Sequence, residues 1–337
     1  MTMRPLPLVL LALALPVAAC TAPTGQAASA FGRPPSAAPS QEPAQPRGVV
    51  SVAEARTVLD QWDKAEADAQ RQGGTGWTAA ETGFAATMSK ADSRAREMIG
   101  ETVTTPRQAI VKPRFAIPGK VSGAAWFMAE FRRKGGTAWS QVIFKKTPDG
   151  WRMVFMSITS AKSRPPAVAR DGDGLATALA PDDGDGLVAS PRRIAQAHAR
   201  LQATYGEDRD ALRVFTTRAI PRLNADARRD ERATLGNEWT MEVRSRPVAE
   251  VYALRTAKGG ALVWYGIRQQ NIHVARPGTT ATMTFTDRVP AALSHGRSYE
   301  RRAVLKSAGM YLAVVPRSPG PARVPAEWFI SLSAGGS

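Results

Sequence analysis

A single cysteine in 337 residues, Cys20, does most to limit what this chain can fold into. No disulfide can close a loop within the chain, and no structural metal site can be built on paired thiolates. Each folded unit must therefore close around an ordinary apolar core. The composition permits this, with 43% apolar and 22% charged residues, and the chain is long enough to bury such a core.

Cys20 also has a telling position. It follows a short start carrying Arg4, an apolar run from Leu6 to Val17, and the small residues Ala18 and Ala19, which together have the three parts of an export signal. The run is shorter than the roughly 20 apolar residues that cross a hydrocarbon core. Residues 1–19 are therefore expected to be a signal peptide and not a permanent membrane helix. The tetrad Val17-Ala18-Ala19-Cys20 resembles the lipobox of bacterial lipoproteins. That resemblance implies that the Cys20 thiol carries a diacylglyceryl group and becomes the first mature residue. The expected location is the outer face of the cell membrane, with the membrane as partner through the N-terminal lipid. The plain alternative is an ordinary cleavage site and a free thiol.

Charge narrows the partners without choosing one. There are 45 basic and 29 acidic residues, a formal net charge of +16, and Arg outnumbers Lys 35 to 10. Such a surface is drawn to nucleic acid, anionic headgroups or anionic wall polymers. Export argues against nucleic acid. The basic residues are scattered, and the clusters are short, as in Arg132-Arg133-Lys134 and Arg228-Arg229. A generally solvated basic surface is one reading; attraction to anionic lipid or wall polymer is the other.

The order of elements predicts an α+β protein of two tandem domains, each with helices packed on a curved antiparallel sheet. Residues 20–50 are rich in Pro and Ala with few bulky apolar side chains, and read as a disordered tether. The first domain, 51–165, opens on a capping box, Ser51-Val52-Ala53-Glu54. Val52, Ala55, Val58, Leu59, Trp62 and Ala69 then share one helical face, and Gly73-Gly74 ends the helix. A second box, Thr78-Ala79-Ala80-Glu81, predicts another helix contributing Phe84, Met88 and Ile99. Strands are expected over 121–132, 138–146 and 151–159, the last two joined by the turn Thr147-Pro148-Asp149-Gly150.

Residues 166–189 read as a flexible acidic linker. They hold Asp171-Gly172-Asp173-Gly174-Leu175 and a near copy, Asp183-Gly184-Asp185-Gly186-Leu187. Neither copy has the oxygen ligand at position 5 or the glutamate at position 12 of a calcium-binding EF-hand loop. The second domain, 190–337, starts with Ser190 as N-cap and Pro191 in the first turn. Ile194, Ala197, Leu201 and Tyr205 form its apolar face before Gly206. Strands are expected over 239–244, 249–256, 261–275, 280–287, 299–306 and 310–315.

Taken together, the chain resembles a group of actinobacterial lipoproteins of unknown function. The likeness rests on the Cys20 tetrad, Glu81-Thr82-Gly83, Pro113-Arg114-Phe115-Ala116-Ile117-Pro118, Trp126-Phe127, Val142-Ile143-Phe144, Gly150-Trp151-Arg152 and Val188-Ala189-Ser190-Pro191. The helix-then-sheet order is also similar to the cystatin-like or nuclear-transport-factor-like cone. That similarity implies a pocket enclosed by a curved sheet, which serves as an enzyme site in some members and a binding site in others. It brings no activity with it.

Chemistry-bearing motifs are few. His198, His273 and His295 have no zinc-site spacing, and there is no nucleophile elbow, P-loop or dinucleotide fingerprint. No catalytic, metal-binding or cofactor-binding residue is expected. The carboxylates Glu130 and Glu250 lie in strand-like segments, where a concave face would desolvate them. Trp126, Glu130, Trp139, Trp151 and Trp264 are candidate pocket-lining residues, with core packing as the competing role for the aromatics. The function expected is a tethered ligand-binding or interaction module. The alternatives are a carboxylate-dependent hydrolase or isomerase, or a cell-envelope assembly factor.

Overall fold

The computed structural model describes residues 48–101, 107–119, 121 and 123–337. The expected signal peptide, Cys20 and most of the expected tether lie outside the described residues. Residues 48–50, expected to end the tether, belong to the fold instead. Val50 is buried, and the Val49 amide donates to the Pro118 carbonyl at 3.0 Å.

Helix α1 (Val52–Arg71) starts as its sequence dictates. The Ser51 hydroxyl accepts from the Glu54 amide at 3.1 Å, a cap worth about 1 kcal/mol. Ala55, Val58, Leu59, Trp62 and Ala69 form the buried stripe, and Glu66 is buried among them. Val52, expected on that face, is 64% exposed; it occupies the first helical turn, beyond the sheet that the stripe covers. The short helix α2 (Trp77–Ala80) and α3 (Gly83–Met98) follow.

The first sheet is an antiparallel meander of β1 (Ile110–Ala116), β2 (Trp126–Arg133), β3 (Trp139–Thr147) and β4 (Gly150–Thr159), in that spatial order. The predicted turn at 147–150 closes β3 onto β4, with Thr147 opposite Gly150. Side chains alternate along β2, as a strand requires. Phe131 and, across the sheet, Phe144 meet Trp62 of α1, with ring centroids 6.0 and 5.8 Å apart. Trp126 points the other way, edge-on to Tyr252 at 5.2 Å.

The second domain begins with α4 (Pro191–Ala203), α5 (Arg209–Val214) and α6 (Ile220–Thr234). The Ser190 hydroxyl caps α4 by accepting from the Arg193 amide. The second sheet has the order β10-β9-β6-β5, from β5 (Trp239–Arg255), β6 (Ala261–Ala275), β9 (Arg302–Val315) and β10 (Arg323–Gly336). Between β6 and β9 lie the two-stranded ribbon of β7 (Met283–Thr284) and β8 (Ser298–Tyr299), and helix α7 (Arg288–Leu293). Two expected pairs of strands are thus single long ones. The segments 239–244 and 249–256 join across an irregularity between Pro247 and Val251, and 299–306 joins 310–315 through Gly309 to make most of β9. Strand β10 lies outside every segment expected to be a strand.

The two α+β domains pack into one compact unit over residues 45–337. Residues Leu262 and Trp264 of β6 belong to the same core as Phe127, Phe144 and Phe155 of the first domain. Their neighbours Val263, Tyr265 and Ile267 face Ile194, Ala197 and Leu201 of α4. The second sheet is therefore covered on both faces, which explains why Ala261–Ile267 reads as an unbroken apolar run.

The stretch expected as a flexible linker is packed. Ala176, Leu179 and Leu187 are buried. The Leu179 amide donates to the Ala253 carbonyl at 2.9 Å, and the Ala176 amide to the Ile117 carbonyl at 2.8 Å. Its aspartates serve the backbone: Asp171 accepts from the amides of Asp173 and Leu175, and Asp183 from that of Asp185.

Candidate functional site

The structure brings together only two of the residues that the sequence singles out. Glu130 on β2 is nearly buried and accepts from Arg164 Nη2 at 2.6 Å. The same Arg164 guanidinium lies 3.9 Å over the Trp139 ring. Glu130 borders a cavity of about 290 Å³ with Gln141, Leu262 and the Pro165-Pro166 step, and Arg164 matches its charge. The other three tryptophans are packed elsewhere. Trp126 sits against Tyr252, and Trp264 is fully buried with its Nε1 donating to Ser157 Oγ at 3.1 Å. Trp151 is half-buried, edge-on to Phe127, and donates to the Glu54 carboxylate at 2.9 Å. Glu250 is ion-paired with Lys145.

A larger cleft of about 930 Å³ lies elsewhere, lined from α1, the α2 region, α3, β4 and β10. Its most unusual group is Glu81. The predicted capping box does not form: α2 has Gly76 at its N-cap and no side-chain cap bond. Thr78 lies inside that short helix, and Glu81 ends it in an extended conformation, φ −134°, ψ 160°. The chain here is held by β4, because the Thr82 amide donates to the Met153 carbonyl at 3.0 Å and Glu81 bridges Met153 in parallel. Gly83 then takes φ +60° to start α3, a left-handed angle that favours glycine. This single extended step between two helices leaves the Glu81 side chain in the cleft wall.

Glu81 is 2% exposed. The Ser89 hydroxyl of α3 hydrogen-bonds to its carboxyl. Its Oε2 has no hydrogen-bond partner among the described residues. Burial opposes ionisation and pushes the carboxyl up to about 8; the Ser89 bond pulls it back, and the charge of Glu66 pushes in the same direction as burial. Near neutral pH the group is thus a neutral acid, able to donate one hydrogen bond.

On its other side Glu81 borders a second hollow of about 700 Å³ with Lys90, Lys145, Lys146 and Arg152, while its neighbours in the larger cleft are mostly acidic. Glu66, Asp92, Glu97 and Glu101 line the same cleft, against Arg71 and Arg96. Burial also raises the Glu66 carboxyl, while Arg107 beside it holds it down. Arg107 in turn reaches Asp63 at 2.7 Å, and Arg133 meets the same Asp63 oxygen at 2.6 Å. Asp92 is paired with Arg96 at 2.8 Å and Glu101 with Arg288 at 2.5 Å. Trp77, Trp328 and Met156 give the cleft apolar wall; Trp77 is fixed by its Nε1 donating to Ser93 Oγ at 2.9 Å. A signal for this site is present in the sequence: Glu81 is the one carboxylate within the short motif Glu81-Thr82-Gly83.

Among the described residues no group of three or more His, Cys, Asp or Glu is placed to hold a metal ion. No helix among them is long and apolar enough to cross a membrane. No curated protein and no solved structure matches the chain. Residues 46–330 match a family model described as a domain of unknown function (DUF8094), and the chain belongs to that family.

Proposed function

We propose that this chain is an extracytoplasmic module, tethered to the membrane by lipid on Cys20, that binds a small ligand in the cleft beside Glu81. The tether rests on the sequence alone: the leader, the tetrad ending at Cys20, and the absence of any other thiol. The binding reading rests on one observation. A carboxyl that is nearly inaccessible, with one oxygen lacking a partner, is costly to bury, and it sits in the wall of a roomy cleft that has both indole and charged surface. A ligand group placed against that oxygen offsets the cost.

A thermal-shift screen of the full-length chain in detergent, against amines, sugars, lipids and wall fragments, tests the cleft. A compound that shifts the parent but not Glu81→Gln supports it. If every shifting compound shifts both proteins equally, the cleft is not the site. If no class shifts the parent, docking to protein partners in the envelope becomes the better reading. Metabolic labelling with fatty acid tests the tether: Cys20→Ala should lose the label and leave the membrane fraction, and a variant that keeps both contradicts it.

A second reading uses the same carboxyl. An acid poised at about 8 suits general acid catalysis near neutral pH, as a hydrolase or isomerase needs. Turnover lost in Glu81→Gln with ligand binding retained favours the enzyme.

A further inference from the structure

We propose that the ligand of this cleft is an organic amine, which enters as its ammonium ion, displaces the proton of Glu81 to solvent and, as the Glu81 side chain turns toward the cleft, donates a hydrogen bond to its Oε2. The proposal rests on the cleft being the binding site, and it adds the chemical class of the ligand.

The charge inventory carries it. Glu66 is matched by Arg107, Asp92 by Arg96, and Glu101 by Arg288; Arg71 is matched by Asp68. Among the described residues that leaves Glu81 and Glu97 with no cation within ion-pair distance. An acidic cleft on a chain of net charge +16 is a local reversal of sign, which favours a cationic guest over the anions that the rest of the surface attracts. Within this cleft the groups around Glu81 come from four elements. Helix α1 presents Glu66, α3 presents Ser89, Asp92, Arg96 and Glu97, and β4 and β10 present Met156 and Trp328. On its other side Glu81 borders a second hollow with Lys90, Lys145, Lys146, Asp149 and Arg152, but Arg96 is taken by Asp92 and Lys145 by Glu250, and none of these cations lies within ion-pair distance of the Glu81 carboxyl.

The donor set also ranks other guests: an acceptor can take the O–H of the neutral acid, but it gains nothing from the acidic lining. A hard cation such as calcium takes six to eight oxygens, and one unpartnered oxygen beside a hydroxyl is too few. A neutral donor can satisfy Oε2, but it leaves the ionised form of a buried carboxylate uncompensated next to Glu66, so it binds only the neutral acid and gains no charge-assisted bond. An ammonium supplies both hydrogen and charge. The indoles of Trp77 and Trp328 suit the organic body and attract cations through their ring faces.

Protons balance simply. The Glu81 O–H bond breaks and its proton passes to buffer, while the ammonium keeps its own protons, since alkylamines titrate near the range of lysine. Binding must then tighten as pH rises toward the point where free Glu81 ionises.

The test uses three probes with one ring and different heads: tryptamine (cationic), tryptophol (neutral) and indole-3-acetate (anionic). Each is titrated calorimetrically into the full-length chain in detergent, in two buffers of different ionisation enthalpy. For tryptamine the expectation is release of nearly one proton at neutral pH, and affinity rising about tenfold from pH 6 to pH 7 and levelling above about pH 8. Tryptophol and indole-3-acetate should bind at least about tenfold more weakly, and Glu81→Gln should abolish the proton release and weaken tryptamine by a similar factor. Tryptamine binding without proton release, equal binding of tryptophol, or no binding of tryptamine overturns the amine assignment. The two failures are separable. A neutral or anionic compound whose binding is lost in Glu81→Gln keeps the cleft as the site and removes only the amine. Binding that ignores Glu81→Gln removes both.

Discussion

Replacing Glu81 by glutamine should make this protein more stable, and increasingly so as the pH rises. The glutamine amide keeps the shape of the protonated acid and can still accept from Ser89, but it cannot ionise. In the parent, burial lifts the carboxyl from 4.5 to about 8. Between these two values the folded state holds a proton that the unfolded chain has released, so stability falls with rising pH. The contribution is complete below about pH 4.5, declines through the interval and is fully lost above about pH 8. One proton bound in the folded state alone costs about 1.4 kcal/mol for each pH unit climbed, less near the two ends of the interval. The parent therefore loses about 3–4 kcal/mol between pH 5 and pH 8 from this carboxyl. Glu81 is 2% exposed, so little solvent screening reduces that figure. Urea denaturation of both proteins at several pH values reads the difference directly, because every other titrating group is common to the two. The curves should meet below about pH 4.5 and diverge by about 3–4 kcal/mol between pH 5 and pH 8. Parallel curves, or a variant that is less stable at pH 8, would refute the reasoning.

His198 should act with the opposite sign. Burial lowers it to about 3, so the parent loses about 3 kcal/mol as pH falls from 7 to 4. In His198→Phe that acid slope should vanish, while at pH 7 the loss of the partner that Tyr265 has at 3.0 Å costs about 1–3 kcal/mol, both read from urea midpoints at the two pH values. Trp264→Ala removes a fully buried ring and its bond to Ser157 and should cost about 3–5 kcal/mol. Calorimetry should still show one transition, since the two sheets share a core; separate transitions for the two domains would contradict that. Gly266→Ala places a methyl 2.4 Å from a Phe84 ring carbon, and overpacking of this kind costs about 1–3 kcal/mol by the same denaturation assay.

The features legible in the sequence are those decided locally. Ser51 and Ser190 cap their helices because a hydroxyl before an apolar periodic run has a free amide to satisfy. The turn at Thr147-Pro148-Asp149-Gly150 joins two strands because its residues pre-set the angles. What stays hidden is tertiary. Strand β10 contains Pro325 and closes on Ser, Ala and Gly, so nothing local marks it; pairing with β9 makes it a strand. The Asp/Gly stretch looks loose, but Leu179 and Leu187 are drawn into the second core. Four tryptophans read as pocket walls, yet Trp126 and Trp264 are the packing between two sheets that no pattern announces as facing each other.

Glu81 shows the same limit at the candidate site. Thr78-Ala79-Ala80-Glu81 satisfies the capping rule, but a four-residue helix is too short to use it. The bridge from Glu81 to Met153 prevails, extending the backbone and carrying the carboxyl into the cleft wall. The residue is thus removed from helix-end duty by a contact with β4, 72 positions away in sequence by its numbering. Glu130, the carboxylate that the strand pattern favours, is matched instead by Arg164.

Every role proposed for the cleft depends on the protonation of one side chain. Labelling the full-length chain with carbon-13 at the glutamate carboxyls, and assigning Glu81 by its absence in Glu81→Gln, allows its titration to be followed by NMR. A midpoint near 8 is the predicted result. A midpoint in the ordinary carboxylate range, near 4.5, would mean that the cleft holds a solvated anion, and both the binding site and its amine ligand would lose their basis.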